Sequence, residues 1–118
     1  MQQILDDIKA TKGIAGLFIA NLKGHVAAHT GDFSTSTPTK LAEEVLKFVQ
    51  TTYKSKEGEQ WLQFYYNNRT VLLFIQKDFF VFILSQLSND AALIRLTTEV
   101  ALSSIRSNKK MIRRIIDA

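Results

Sequence analysis

The chain contains no cysteine, which rules out a disulfide, a thiolate zinc site and a thiol nucleophile. That is in keeping with a reducing cytoplasm, the expected location. The opening stretch MQQILDDI carries two acids and no basic residue, so it does not read as a secretory signal. No apolar run reaches the ~18 to 20 residues that span a bilayer. Local signatures of chemistry are missing too. The glycines of KGIAG lack the GxxxxGKS/T spacing that wraps phosphates in backbone N–H groups, and no serine sits in a GxSxG elbow. HVAAH places two histidines four apart without the adjacent glutamate of a zinc helix. On a strand rising ~3.3 Å per residue, His25 and His29 would stand about 13 Å apart. No catalytic residue, metal, cofactor or small-molecule substrate is therefore expected, and the protein is read as not an enzyme in its own right. An enzyme with dispersed catalytic residues would need a pocket of converging polar groups.

What is present is ordinary globular composition: 118 residues, 46% apolar and 22% charged. A chain of this length buries roughly two-thirds of its unfolded surface, so one domain over 1–118 is expected, with no repeat, linker or low-complexity stretch. The net charge of +4 is concentrated at one end. Arg106, Lys109, Lys110, Arg113 and Arg114 stand against Asp117 alone, while the preceding 104 residues hold ten basic and ten acidic groups.

Periodicity predicts a first helix over 3–11, with Ile4, Leu5 and Ile8 on one face, ended by Gly13. A strand apolar on both faces follows over 14–22, then a tight turn through Gly24 and a return strand, HVAAH. After a Ser/Thr-rich loop, Thr37 is placed to cap a second helix with Pro38 in its first position. Leu41, Val45, Phe48 and Val49 form its apolar stripe. EQWLQFYYNN reads as a third strand, and NNR as a hairpin turn because Asn tolerates positive φ. The stretch VLLFIQKDFFVFIL (71–84) has eleven apolar residues in fourteen. It reads as two strands joined at Lys77 and Asp78, apolar at odd and even positions alike, so both faces of the sheet must be covered. Ser88 and Asp90 suit the start of a last helix. Leu93, Leu96, Val100, Ala101, Ile105, Ile112 and Ile115 keep helical spacing for about six turns. The fold class is therefore α+β: a five-stranded, mainly antiparallel sheet with helices on both faces, in the order α-β-β-α-β-β-β-α.

Two features point outward. The third strand carries Trp61, Phe64, Tyr65 and Tyr66, four of twelve aromatics. At a sheet edge it would offer open backbone groups beside large apolar anchors, a liability that self-pairing resolves. The basic end exceeds what a helix dipole uses, and Met111, Ile112, Ile115 and Ile116 run alongside it. It is open to an anionic membrane, nucleic acid or an acidic partner.

The order of elements, with GIAGLFIANLKGHVAAHTG as first hairpin, VLLFIQKDFFVFIL as fourth and fifth strands and a long helix after SNDAAL, resembles the Roadblock family. This is the dynein light-chain and MglB-type regulator domain, with an architecture related to longin and profilin-like domains. ANLKG departs from the family in lacking acidic residues before its glycine, and the basic end is unusual. The resemblance implies a homodimer or heterodimer joined through edge strands matching residues 59–67. The second helices would pair on one face, and the first and third would cover the other. It further implies a platform that binds, regulates or scaffolds a small Ras-like GTPase, with no active site of its own; activating members reshape the GTPase without an inserted arginine. Trp61, Leu62, Gln63, Phe64, Tyr65, Val45 and Phe48 are then the expected dimer interface, and Lys40, Glu43, Glu44 and Lys47 the expected partner surface. The alternative is an adaptor that docks to a membrane, motor or acidic partner through Arg106, Lys109, Lys110, Arg113 and Arg114.

Overall fold

The computed structural model describes residues 1–33, 37–52, 60–66, 68–86 and 91–118. Its elements are α1 (Gln2–Lys9), β1 (Ile14–Asn21), β2 (Val26–Gly31), α2 (Pro38–Thr52), β3 (Gln60–Tyr66), β4 (Arg69–Ile75), β5 (Phe79–Gln86), α3 (Ala91–Arg106) and α4 (Lys109–Ile116). The strands form one sheet in the order β2-β1-β5-β4-β3, and every neighbouring pair is antiparallel. The expected helix start at Ser88 and Asp90, and the far ends of the third and fifth strands at Glu59 and Leu87, lie outside the described residues.

β5 lies at the centre and β4 beside it, and their alternate side chains feed two separate cores. Leu72, Phe74, Phe79, Val81 and Ile83 meet Leu5 and Ile8 of α1, Ile94, Leu102 and Ile105 of α3, and Ile115 of α4. Val71, Leu73, Ile75, Phe80, Phe82 and Leu84 meet Leu41, Ala42, Val45 and Val49 of α2. Phe18 stacks on Phe82 in this second core, with ring centroids 5.0 Å apart. Burial on both faces explains why the 71–84 run shows no alternation. Among the described residues, one face has three helices above it and the other has only α2.

Local signals act as their chemistry requires. Thr37 Oγ1 accepts from the Lys40 N–H at 3.2 Å, satisfying one of the orphan donors at the start of α2. Gly24 turns the first hairpin at φ +87°, and Asn68 takes φ +60° in the β3–β4 turn. Gly31 pairs with Gly16 across β1 and β2. At φ +92°, a Cβ on Gly31 would run into Ala15 O and stand 2.6 Å from Gly16 Cα. Bare backbone is needed there because the two strands approach closely.

Three expectations need correction. α1 stops at Lys9, where the Ala10 N–H already bonds Asp6 O. Gly13, at φ +95°, serves the turn into β1 instead of closing the helix directly. The last helix is not continuous: Asn108 breaks it, its side chain accepting from the Met111 N–H at 3.1 Å as the cap of α4. An Asn side chain that competes for backbone N–H groups favours such a restart. The elbow also reorients the apolar row, since in an unbroken helix Ile115 would lie roughly a quarter-turn off the Ile105 stripe. Finally, the buried face of α3 coincides with the expected row only towards its end, where Ile105 is buried and Ala101 packs against the core. Ile94, Thr98, Leu102 and Ile105 are buried, whereas Leu93, Leu96 and Val100 are exposed, the last two at 64%. Thr98 is admitted to the core because its hydroxyl donates to Ile94 O at 2.7 Å, which removes the cost of an unmet polar group.

Candidate functional site: an open sheet edge and its flanking groove

Among the described residues, β3 is hydrogen-bonded on one side only, to β4, so its other side presents backbone donors and acceptors as a sheet edge does. The pleat sends its side chains to opposite faces. Trp61 lies over Phe74 on the α3 side, with ring centroids 6.4 Å apart. The Arg95 guanidinium sits 4.3 Å above the indole, a cation–π contact, and is 4.0 Å from Glu99. Gln63 and Tyr65 share the parity of Trp61, and Tyr65 is 72% exposed. Leu62 and Phe64 face the other way, against the α2 core.

Between α2 and β3 lies a groove of about 460 Å³. Val45, Phe48, Leu62, Gln63 and Phe64 line it, together with Leu41, Phe82 and Glu44. Five of the seven residues expected at a dimer interface thus converge here, while Trp61 and Tyr65 project from the opposite face of the same strand. Phe48 is 44% exposed although it belongs to the apolar stripe of α2. Its ring meets that of Phe64 at 6.1 Å, on the flank of the helix nearest the open edge. Of the charged α2 residues, Glu44 borders the groove, and Lys40, Glu43 and Lys47 are exposed.

The basic end is divided by the elbow. Arg106 closes α3 and donates from Nη1 to Gln76 Oε1 at 2.8 Å. Lys109, Lys110, Arg113 and Arg114 belong to α4. Much of the apolar side of α4 is already in use: Ile115 is buried, and Met111 and Ile112 pack, partly buried, against the α1/α3 core, while Ile116 stays exposed. Asn21, which in the sequence is no more than the polar end of an apolar strand, anchors this helix. It is 2% exposed. Its Nδ2 donates towards Ile115 O and Ile116 O at 3.2 Å each, and its Oδ1 accepts from the Lys23 and His25 N–H groups at 2.9 and 3.1 Å. His25 Nδ1 lies 3.0 Å from Ala118 O, so that histidine sits at the α4 terminus. A lone polar residue closing an otherwise apolar strand is the signal that could have found it.

No protein-family model matches the chain, and no curated protein sequence matches it. Solved structures do. The chain superposes on "MglB with tetrameric arrangement" at TM-score 0.76 with 12% identity, covering 98% of this chain and 88% of that one. The Roadblock/LC7 domain from Streptomyces avermitilis gives TM-score 0.76 at 10% identity, over 91% of this chain and 95% of that one. The gliding protein MglB from Thermus thermophilus gives 0.75 at 12% identity, over 99% and 89%. At such identities the likeness is one of fold, and it defines the class: this chain has the Roadblock/LC7, MglB-like fold.

Proposed function

We propose that the protein is a non-catalytic Roadblock-type module that pairs along β3 with a second such chain, itself in the simplest case. In this reading the dimer binds and regulates a small Ras-like GTPase in the cytoplasm. The observation that carries the proposal is the open edge of β3 beside the apolar groove bounded by Phe48 and Phe64. Antiparallel pairing of two β3 strands across a two-fold axis would satisfy both edges and make one continuous sheet. It would also bring the partner's α2 to the face on which, among the described residues, this chain has only one helix, where it can cover the groove. The fold shared with MglB structures, one of them described by its tetrameric arrangement, supports self-association. The mixed charges Lys40, Glu43, Glu44 and Lys47 on α2 are the surface offered to the GTPase.

Light scattering at micromolar concentration tests the first half. A dimer mass is expected, and a Gln63→Pro chain should shift towards monomer because proline removes a ladder donor and the strand's regularity. A monomeric parent chain would overturn the pairing. Pull-down against the small GTPases of the same genome, loaded with GTP or GDP, tests the second half. Nucleotide-dependent retention is expected; a stable dimer that retains none of them in either state would overturn the GTPase reading.

A further inference from the structure

A second concavity, of about 750 Å³, lies between the β4–β5 turn and the α3–α4 elbow. None of its lining residues belongs to β3 or α2, so it is independent of the pairing proposed above. Among the described residues, four cations from three elements border it: Lys77 from the turn, Arg106 from the end of α3, and Lys109 and Arg113 from α4. Two acids, Asp78 and Asp117, border it as well. Among the described residues, Lys77, Lys109 and Arg113 form no ion pair. Arg106 is held in place from below, by the buried Gln76.

Helix dipoles do not account for this gathering. Arg106 and Arg113 stand in the last turns of their helices, where a cation is favourable. Lys109, however, is the first residue of α4, which has no acid in its first turn, and a cation there opposes the dipole. Lys77 belongs to no helix. Neither is explained by a helix dipole, and both border the same hollow. Ile112 and Ile116 supply its apolar wall, and Lys110 and Arg114, on the other side of α4, do not border it.

We propose that this cleft docks an acidic peptide segment of a protein partner, one that carries an apolar side chain among its carboxylates. Carboxylates separated along an extended chain can reach the separate cations while avoiding Asp78 and Asp117. The apolar side chain then rests on Ile112 and Ile116. A bilayer surface is the poorer match, because Ile115, Met111 and Ile112 of α4 pack against the core and the cations and Ile116 border a concavity, not a flat face. A phosphate backbone, charged at every step, would meet the two aspartates.

The test is fluorescence anisotropy with the full chain and a short labelled peptide in which glutamates alternate with leucines. Saturable binding that weakens as salt rises is expected, with no binding of the same peptide carrying glutamine for glutamate. The double variant Lys109→Glu/Arg113→Glu should bind at least about tenfold more weakly, because two exposed attractions become repulsions. Lys110→Glu/Arg114→Glu makes the same change in net charge on the far side of α4 and should stay within about twofold. If circular dichroism shows that the first variant unfolds, Lys109→Gln/Arg113→Gln replaces it and should still weaken binding severalfold. Equal losses of affinity in the two double variants would overturn the cleft, as would binding of the glutamine peptide. Absence of peptide binding would do the same, including the case in which phosphatidylserine vesicles bind instead. A chain that proves monomeric yet binds the peptide would leave this site standing and remove only the pairing along β3.

Discussion

Replacing Asn21 with alanine should detach α4 from the sheet while leaving the rest of the fold in place. The side chain is almost fully buried and holds two structures at once, the β1–β2 turn through its carbonyl and the end of α4 through its amide. Four hydrogen bonds of 2.9 to 3.2 Å disappear with it. Each is worth about 1 kcal/mol net, and water can reach the part-buried turn amides once the side chain is gone. The expected destabilisation is therefore about 2 to 4 kcal/mol, which in a domain of this size lowers Tm by roughly 8 to 16 °C. Urea unfolding followed by tryptophan fluorescence measures the loss, and amide hydrogen exchange locates it. Residues 109–116 should lose protection, whereas the central strands β4 and β5 should exchange only as fast as global unfolding allows. Asn21→Asp separates the two roles. It retains the acceptor for the turn, removes both donors, and sets a negative charge against the C-terminus of α4, so it should loosen α4 as much as alanine does. A change below about 0.5 kcal/mol, or unaltered exchange in α4, would refute the account of what holds this helix.

Gly31→Ala should destabilise by more than about 2 kcal/mol in chemical denaturation, because it combines a left-handed φ with a Cβ aimed at backbone; a neutral result would mean β1 and β2 do not approach as described. Leu102→Ala should cost about 2 to 4 kcal/mol and Leu96→Ala less than about 0.5, and comparable losses would show that α3 is rotated from the face described. Phe48→Glu should leave Tm within a few degrees, since the ring is half exposed, yet yield a monomer by light scattering; an intact dimer would place the interface elsewhere.

Much of the fold is legible in the sequence because the signals are local or periodic. Thr37 before Pro38 marks a helix start, whatever lies around it. Gly24 and Asn68 accept the positive φ their turns impose. The aromatic content of the third strand suits an edge, and its place at the end of the sheet agrees. The corrections in α3 have one cause. Leu93, Leu96 and Val100 form as good an apolar row as the buried one, and nothing within the helix distinguishes them. The choice depends on what α3 packs against, and the row that won includes Thr98, a polar residue whose hydroxyl is satisfied within its own helix.

The basic end shows the same division. Its charge excess is evident from composition, and so are its isoleucines. That Ile115 belongs to the core, that Asn108 breaks the helix, and that only some of the cations border a cleft follow from how the elbow seats α4 against Asn21. By itself, then, the sequence determined the order of elements up to the elbow, the two-faced strands 71–84 and the absence of thiol chemistry, because each depends on composition or on neighbours along the chain. The tertiary structure alone decided which face of α3 is buried, which cations share the cleft and where the open edge meets its groove. Those outcomes depend on contacts between residues distant in sequence, where packing chooses between patterns of equal local merit.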